Sequence, residues 1–391
     1  MMQQHEVDID GMRVTVAHRN LRIFNVRLPQ ISPALGQLVN LVSLEIMQCH
    51  RLTDLPESLG HLTSLKRLEI VGCNELQRLP ESIGQLALLS QLKICVCPVL
   101  TCVPETLGQL SLLDELNISI CNALTQLPSS LGQLVALTAL EIKSLQITSL
   151  PCAVGGLTAL TKFMLADCRR LTMLPDELGL LNALTSLIID NCKNLTALPE
   201  SLGQLSSLSY LSLYEYRAER IPASLGALRM LTSIYFFTMP RLTQLPESLC
   251  DIATLRLLVI VGCALVDLPV SIGRLTALVK LHISQCALTR LPESLGHLPS
   301  LQSLHISWCE KLTQMPASLS RLEHLHSFTI VSLDRFVFPP RLICKEGWHA
   351  VRTFLAQHDM PCKVFVLVLI ARRLHQSHLP DELWLMAMAK I

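Results

Sequence analysis

Nine cysteines are the first residues in this sequence that could do chemistry. Cys49, Cys73, Cys97, Cys121, Cys168, Cys192, Cys263, Cys286 and Cys309 recur at one position of a repeating pattern. Thiols in such number suggest disulfides or a metal centre. Their slot argues against both. In four further repeats it holds Leu145, Tyr216, Met239 and Leu333. A position that exchanges cysteine for leucine or methionine is apolar, and a cysteine there is a small buried group able to donate weakly at the turn leaving a strand. Six others, Cys95, Cys102, Cys152, Cys250, Cys344 and Cys362, are scattered without a C-x-x-C pair. Reduced thiols predict a cytoplasmic or nuclear protein.

Histidines are the next candidates. His282 and His305 occupy the same strand position in successive repeats, so their rings are expected to lie side by side. With Lys280 and Trp308 they form a secondary candidate patch, read either as a polar, pH-sensitive contact or as plain surface. Zinc needs a third ligand, and His326 is offset along its strand, so neither metal nor other cofactor is expected. All four tyrosines lie at Tyr210, Tyr214, Tyr216 and Tyr235, beside Phe236 and Phe237. Tyr216 fills the cysteine slot and Phe236 an inward leucine slot, which predicts that both are core. Tyr210, Tyr214, Tyr235 and Phe237 are expected to face outward from neighbouring strands about 5 Å apart. Such a cluster is either a binding hot spot or a set of rings packed on each other to cover an irregular turn. The other outward positions, such as Lys66, Arg67, Glu69, Ser90, Gln91, Lys93, Asp114 and Glu115, pair no nucleophile with a poised base, so no enzyme is expected. No Gly-rich phosphate loop is present either.

The elements that position these groups come from one unit, clearest in residues 62–86: LTSLKRLEIVGCNELQRLP followed by ESIGQL. Thirteen prolines from Pro56 to Pro339 mark its phase, with seven spacings of 24 residues and five of 23. A fixed period of this kind denotes a solenoid in which each unit buries its apolar face only against its neighbours. Inward Leu and Ile at period two predict strands of three or four residues, centred on residues such as Leu44, Leu68, Leu92 and Phe163. Leu59 and Leu62 then share the inner face of a short helical turn. Proline suits the first position of that turn, and the acid after it (Glu57, Glu81, Glu105, Asp176, Glu200, Glu247, Glu293) suits its free amides. The glycine that follows, as in Gly60, is either a crowding or a cap requirement.

This unit resembles the leucine-rich repeat, in its intracellular form with an L-P-x-x-[LI]-x-x-L convex segment, as found in Ras-pathway scaffolds and plant disease-resistance receptors. The resemblance covers about Leu38 to Leu342. It implies an α/β solenoid, a leucine-rich repeat horseshoe with parallel concave strands, short helical or irregular convex segments and a helical C-terminal cap. It also implies a non-enzymatic protein-interaction scaffold or recognition module in intracellular signalling or immune-type sensing, with a protein partner on the concave face.

Three regions follow: an N-terminal cap over 1–37, thirteen repeats over 38–342 and a helical C-terminal cap or tail over 343–391. In the first, Met12–Ala17 alternates like a strand and Leu21–Phe24 reads as a degenerate first repeat. In the last, Lys345–His358 reads as a helix with Trp348, Val351, Phe354 and Leu355 on one side, packing over the final repeat. Cys362–Gln376 predicts a second helix. Leu379–Trp384 (LPDELW) resembles the opening of an F-box, which implies the alternative of a substrate-recognition subunit of a ubiquitin ligase. Only 13 residues follow His378, short of that domain's three helices, and Pro-Asp-Glu-Leu is also an ordinary helix start.

Composition sets the remaining bounds. Half of the 391 residues are hydrophobic and mean hydropathy is +0.43, yet aromatics make up only 4%. That is a Leu/Ile core many times repeated. The longest dense apolar run, Val364–Ala371, falls well short of the roughly 20 residues a membrane span needs. The start shows no basic region followed by an apolar stretch, so no secretory signal is expected. A net charge of +1 gives no electrostatic case for nucleic acid.

Overall fold

The computed structural model describes residues 6–9, 11–331, 338–339, 343–344 and 347–357. The expected second C-terminal helix and the LPDELW segment lie outside them. The strands are β1 (Glu6–Ile9), β2 (Met12–Thr15), β3 (Asn20–Phe24), β4 (Ser43–Met47), β5 (Arg67–Val71), β6 (Gln91–Cys95), β7 (Glu115–Ser119) and β8 (Ala139–Lys143). There follow β9 (Lys162–Ala166), β10 (Ser186–Asp190), β11 (Tyr210–Tyr214), β12 (Ser233–Phe237), β13 (Leu257–Val261), β14 (Lys280–Ser284), β15 (Ser303–Ser307) and β16 (Ser327–Val331). An α-helix, α1, spans Trp348–Gln357. Strands β3 to β16 form one 14-stranded sheet in strict chain order, and every neighbouring pair is parallel. The LRIF segment is therefore a strand of the main sheet.

Alternation within each strand sets the core. The second and fourth residues point inward, as Leu68 and Ile70 do in β5, and both are fully buried. The first, third and fifth line the concave face. Strands β3 to β16 run five residues rather than three or four, because from β3 to β15 the ladder continues to a left-handed turn residue after each one. Gln48, at φ 54°, donates its amide to the Val71 carbonyl at 2.8 Å, and Val96, Ile120 and Asp167 repeat the contact one repeat on. The next residue is the cysteine slot. Cys121 donates to the Ser119 carbonyl at 3.4 Å and Cys286 to that of Ser284 at 3.3 Å. All nine slot cysteines are buried and free. Burial pushes the Cys263 thiol up to about 11 and Cys286 up to about 12, which keeps them protonated and inert.

The return path is a single 3₁₀ turn per repeat, such as Glu57–His61 and Glu105–Gln109. Leu59 and Leu62 are both fully buried beneath the first of these. Two expectations about this turn need correction. Proline sits at the cap, one position earlier than expected, where its carbonyl accepts the first turn bond (Leu59 N–H to Pro56, 3.0 Å). The acid serves the next repeat's turn instead of its own, because stacking brings that turn's free amides within reach. Glu105 accepts from the Ser129 and Ser130 amides at 2.9 and 2.8 Å, and Glu57, Glu200, Glu247 and Glu293 make the same step forward. Crowding is what requires the glycine. A Cβ on Gly60 would lie 2.6 Å from the Ser82 carbonyl of the next turn.

The forward-reaching carboxylates link stability to pH. Hydrogen bonds from Ser129 and Ser130 hold Glu105 below its usual value, and the Ser224 amide and hydroxyl do the same for Glu200. A depressed folded-state pKa means that this contribution is complete above the ordinary carboxylate range and is lost as pH falls through the folded value. Urea midpoints should therefore fall on acidification below about pH 4.5, and less steeply in a Glu105→Gln, Glu200→Gln double variant. Parallel acid profiles for the two proteins would contradict this.

Both ends of the sheet are covered. At the start β1 and β2 form an antiparallel hairpin that buries Val7, Ile9 and Val14. Sequence reading found only its second strand, although the period-two pattern from Glu6 and the Asp-Gly pair were there to be read. At the far end α1 buries Val351, Phe354 and Leu355. Trp348 meets Phe328 of β16 at 5.0 Å, and Arg352 donates to the Ser320 carbonyl of the final turn at 3.0 Å. No helix among the described residues is long and apolar enough to cross a membrane.

Candidate functional site

The outward positions of the strands divide the concave face in two. From β4 to β8 its central row reads Glu45, Glu69, Lys93, Asn117, Glu141. Several of these groups pair with a neighbour: Lys93 with Glu69 at 3.7 Å, Lys143 with Glu141 at 3.4 Å, and Asn117 donates to Glu141 at 2.7 Å. Exposed pairs of this kind contribute little to stability. From β9 to β13 the same row becomes Met164, Ile188, Ser212, Tyr235, Val259. Leu257 and Val261 extend it on either side of Val259. Sequence reading singled out the aromatics but missed these aliphatic neighbours. The signal was available, because each stands at an odd position of a strand whose even positions are core.

The aromatic residues lie where alternation put them. Tyr216 and Phe236 are fully buried, while Tyr214 is 40% exposed and Tyr210, Tyr235 and Phe237 are half-buried on the concave side. Their rings form a continuous arc. Tyr210 meets Tyr235 at 5.2 Å, Tyr235 stacks on Phe237 at 5.9 Å, and Phe237 meets Tyr214 at 6.0 Å. The rings do pack on each other, but on regular strands, not over an irregular turn. Inside the arc lies Ser212, a small, nearly buried side chain between Tyr210 and Tyr214 on the same strand. On the open side, β10 sets Asp190 beside Tyr214 and Ile188 beside Ser212.

Tyr216 carries a separate consequence. Its hydroxyl is buried with no hydrogen-bond partner among the described residues, and burial pushes the phenol well above its ordinary pKa. Tyr216→Phe removes that unpaired group while keeping the ring. It should raise stability by about 1–2 kcal/mol in urea unfolding. A loss of stability would show that the hydroxyl has a partner.

The secondary patch is only partly assembled. His282 and His305 are register partners with ring centroids 4.3 Å apart. Burial, and then the neighbouring His305, lower the His282 pKa, which favours the neutral His282 ring. Lys280 stands exposed two residues before His282 on β14. Trp308 belongs to the left-handed turn after β15, at φ 55° and 55% exposed, rather than to the strand face. Ser307 was not anticipated. Its hydroxyl lies 3.0 Å from His305 Nε2 and 2.8 Å from the Ser284 hydroxyl. Among the described residues no carboxylate hydrogen-bonds His305, so this contact lacks the orienting third group of a hydrolytic triad. Nor does any group of three or more His, Cys, Asp or Glu among those residues converge on a possible metal position.

Comparison with known proteins agrees with the architecture. A family model described as a leucine-rich repeat region matches residues 243–338. No curated protein matches the chain. Among solved structures, a leucine-rich repeat protein of Leptospira interrogans is 26% identical, with a TM-score of 0.55 over 81% of this chain and 83% of that one. An internalin of Listeria monocytogenes is 16% identical, with a TM-score of 0.55 over 83% of this chain and 90% of that one. A TDR receptor is 22% identical, with a TM-score of 0.52 over 76% of this chain and 57% of that one. A curved parallel sheet with one 3₁₀ return per repeat, a family match within it and neighbours of this kind lead to one conclusion. The chain has the leucine-rich repeat fold.

Proposed function

We propose that the chain is a non-enzymatic recognition module that binds a protein partner on the concave face between β9 and β13. The observation that carries this reading is the contrast within that face. One half carries charged groups, several of them paired with each other, whereas the other half presents Met164, Ile188, Tyr210, Tyr214, Tyr235, Phe237 and Val259 together. Aromatic side chains of this kind are typical interface anchors. Binding by such a module fits intracellular signalling or immune-type recognition, and the buried free thiols fit a reducing cytoplasm or nucleus.

Site-specific photo-cross-linking tests the location. A benzophenone side chain at Tyr235 should yield partner adducts. The same group at Leu112, exposed on a return loop away from the sheet face, should yield none. Equal adducts from both positions, or adducts from Leu112 alone, would remove the concave face from the proposal. Fractionation of cells checks the compartment, which a purely extracellular protein would overturn.

A further inference from the structure

The aromatic arc is shaped for one kind of side chain. Its floor is Ser212, and its wall is the run of rings from Tyr210 through Tyr235 and Phe237 to Tyr214. Its opening toward β10 holds Ile188 and the carboxylate of Asp190. Neighbouring acids are already engaged: Glu215 pairs with Lys193 at 3.0 Å, and Asp167 accepts from Asn191. Asp190 is different. Among the described residues no cation lies within ion-pair distance of it. Lys143, the basic group that acts on it, is itself paired with Glu141.

We propose that this cup receives the side chain of a lysine or arginine carried on an extended peptide segment of the partner, the aliphatic stem lying against the rings and Ile188 and the charged end reaching Asp190. The proposal rests on the binding surface named above and deepens it. A cation over the faces of Tyr and Phe is attracted by their ring quadrupoles, and a half-buried carboxylate without a partner adds direct pairing. A wholly apolar side chain would fill the arc but leave Asp190 desolvated and unpaired, which is costly. Burial, together with Asp167 and Glu215, already pushes Asp190 above its ordinary pKa, and an arriving cation relieves that. The segment has a path as well. A shallow groove of about 290 Å³ floored by Ala139, Met164, Ser186 and Ile188 leads across the strands to the cup, and extended chains suit such a course.

The test uses the full chain and a phage library of random short peptides. Enriched peptides should share a lysine or arginine at one fixed position. Replacing it with norleucine, which keeps the stem and removes the charge, should weaken binding about tenfold. Asp190→Asn should narrow the difference between the two peptides to the smaller part that the rings alone supply. Asp190 and Tyr214 are not core residues, so these variants should melt like the parent. If the enriched peptides require Tyr214 and Tyr235 but show no basic residue, or if norleucine binds equally well, the cation is overturned while the surface stands. If no peptide is enriched, or enriched ones ignore Tyr214→Ala and Tyr235→Ala, both the cation and the surface are overturned.

Discussion

Gly108→Ala should destabilise the protein by about 2–3 kcal/mol, more than any exposed substitution on the same repeat. The added Cβ would lie 2.6 Å from the carbonyl oxygen and from the Cβ of Ser130. These atoms belong to the next 3₁₀ turn, and neither can move without opening the stack. The same clash recurs at Gly60, Gly84 and Gly179, so the glycine is what lets turns approach at the spacing dictated by the sheet. Gly72 provides the control. It sits at φ 72° in the left-handed turn with its nearest contact at 3.5 Å. Alanine there meets only the left-handed backbone penalty, about 1 kcal/mol. Urea unfolding of the two variants separates crowding from conformation. Equal costs would mean that turn packing is looser than described. Cys250 occupies the glycine slot in one repeat, and the turn after it is shortened to Ile272–Arg274.

Phe236→Ala should cost about 3–5 kcal/mol, the range for removing a fully buried aromatic side chain. Phe236 is completely buried in β12, between its register partners Leu213 and Ile260. Because β12 also carries Tyr235 and Phe237, the cavity would loosen the two rings that flank it on the opposite face. Binding should fall along with stability although Phe236 touches no partner. Phe236→Leu restores the aliphatic type found at this position in neighbouring strands and should lose about 1 kcal/mol. The leucine variant should keep its binding. If leucine and alanine proved equally damaging, the aromatic ring itself would be the requirement, and the packing argument would fail.

Much of this structure was legible because period and slot are one-dimensional facts. The proline phase, the leucine rows and the exchange of cysteine for Leu145, Tyr216 and Met239 placed strands, turns and core without coordinates. Alternation alone separated buried Phe236 from outward Tyr235. What escaped depends on distance between repeats, which a single unit does not contain. Glu105 looked like a group for its own turn because nothing in its neighbourhood announces amides 24 residues away. The same holds for the Ser307–Ser284 contact and for Asp190 beside Tyr214. Each joins residues through the roughly 5 Å spacing of parallel strands, and only an explicit alignment of one repeat on the next brings them together. The glycine required atomic separations, since crowding and capping demand the same residue.

The measurement that bears most directly on the account is the affinity of a cross-linked partner, once purified, for the wild-type chain and for a Tyr214→Ala, Tyr235→Ala double variant. Both side chains are on the concave surface and neither fills the core, so the variant should stay folded, with its urea midpoint lowered only by the lost ring contacts. Removal of two aromatic anchors should weaken the complex about a hundredfold. An unchanged affinity in a folded variant would show that the partner binds elsewhere and that the aromatic arc is not the recognition site.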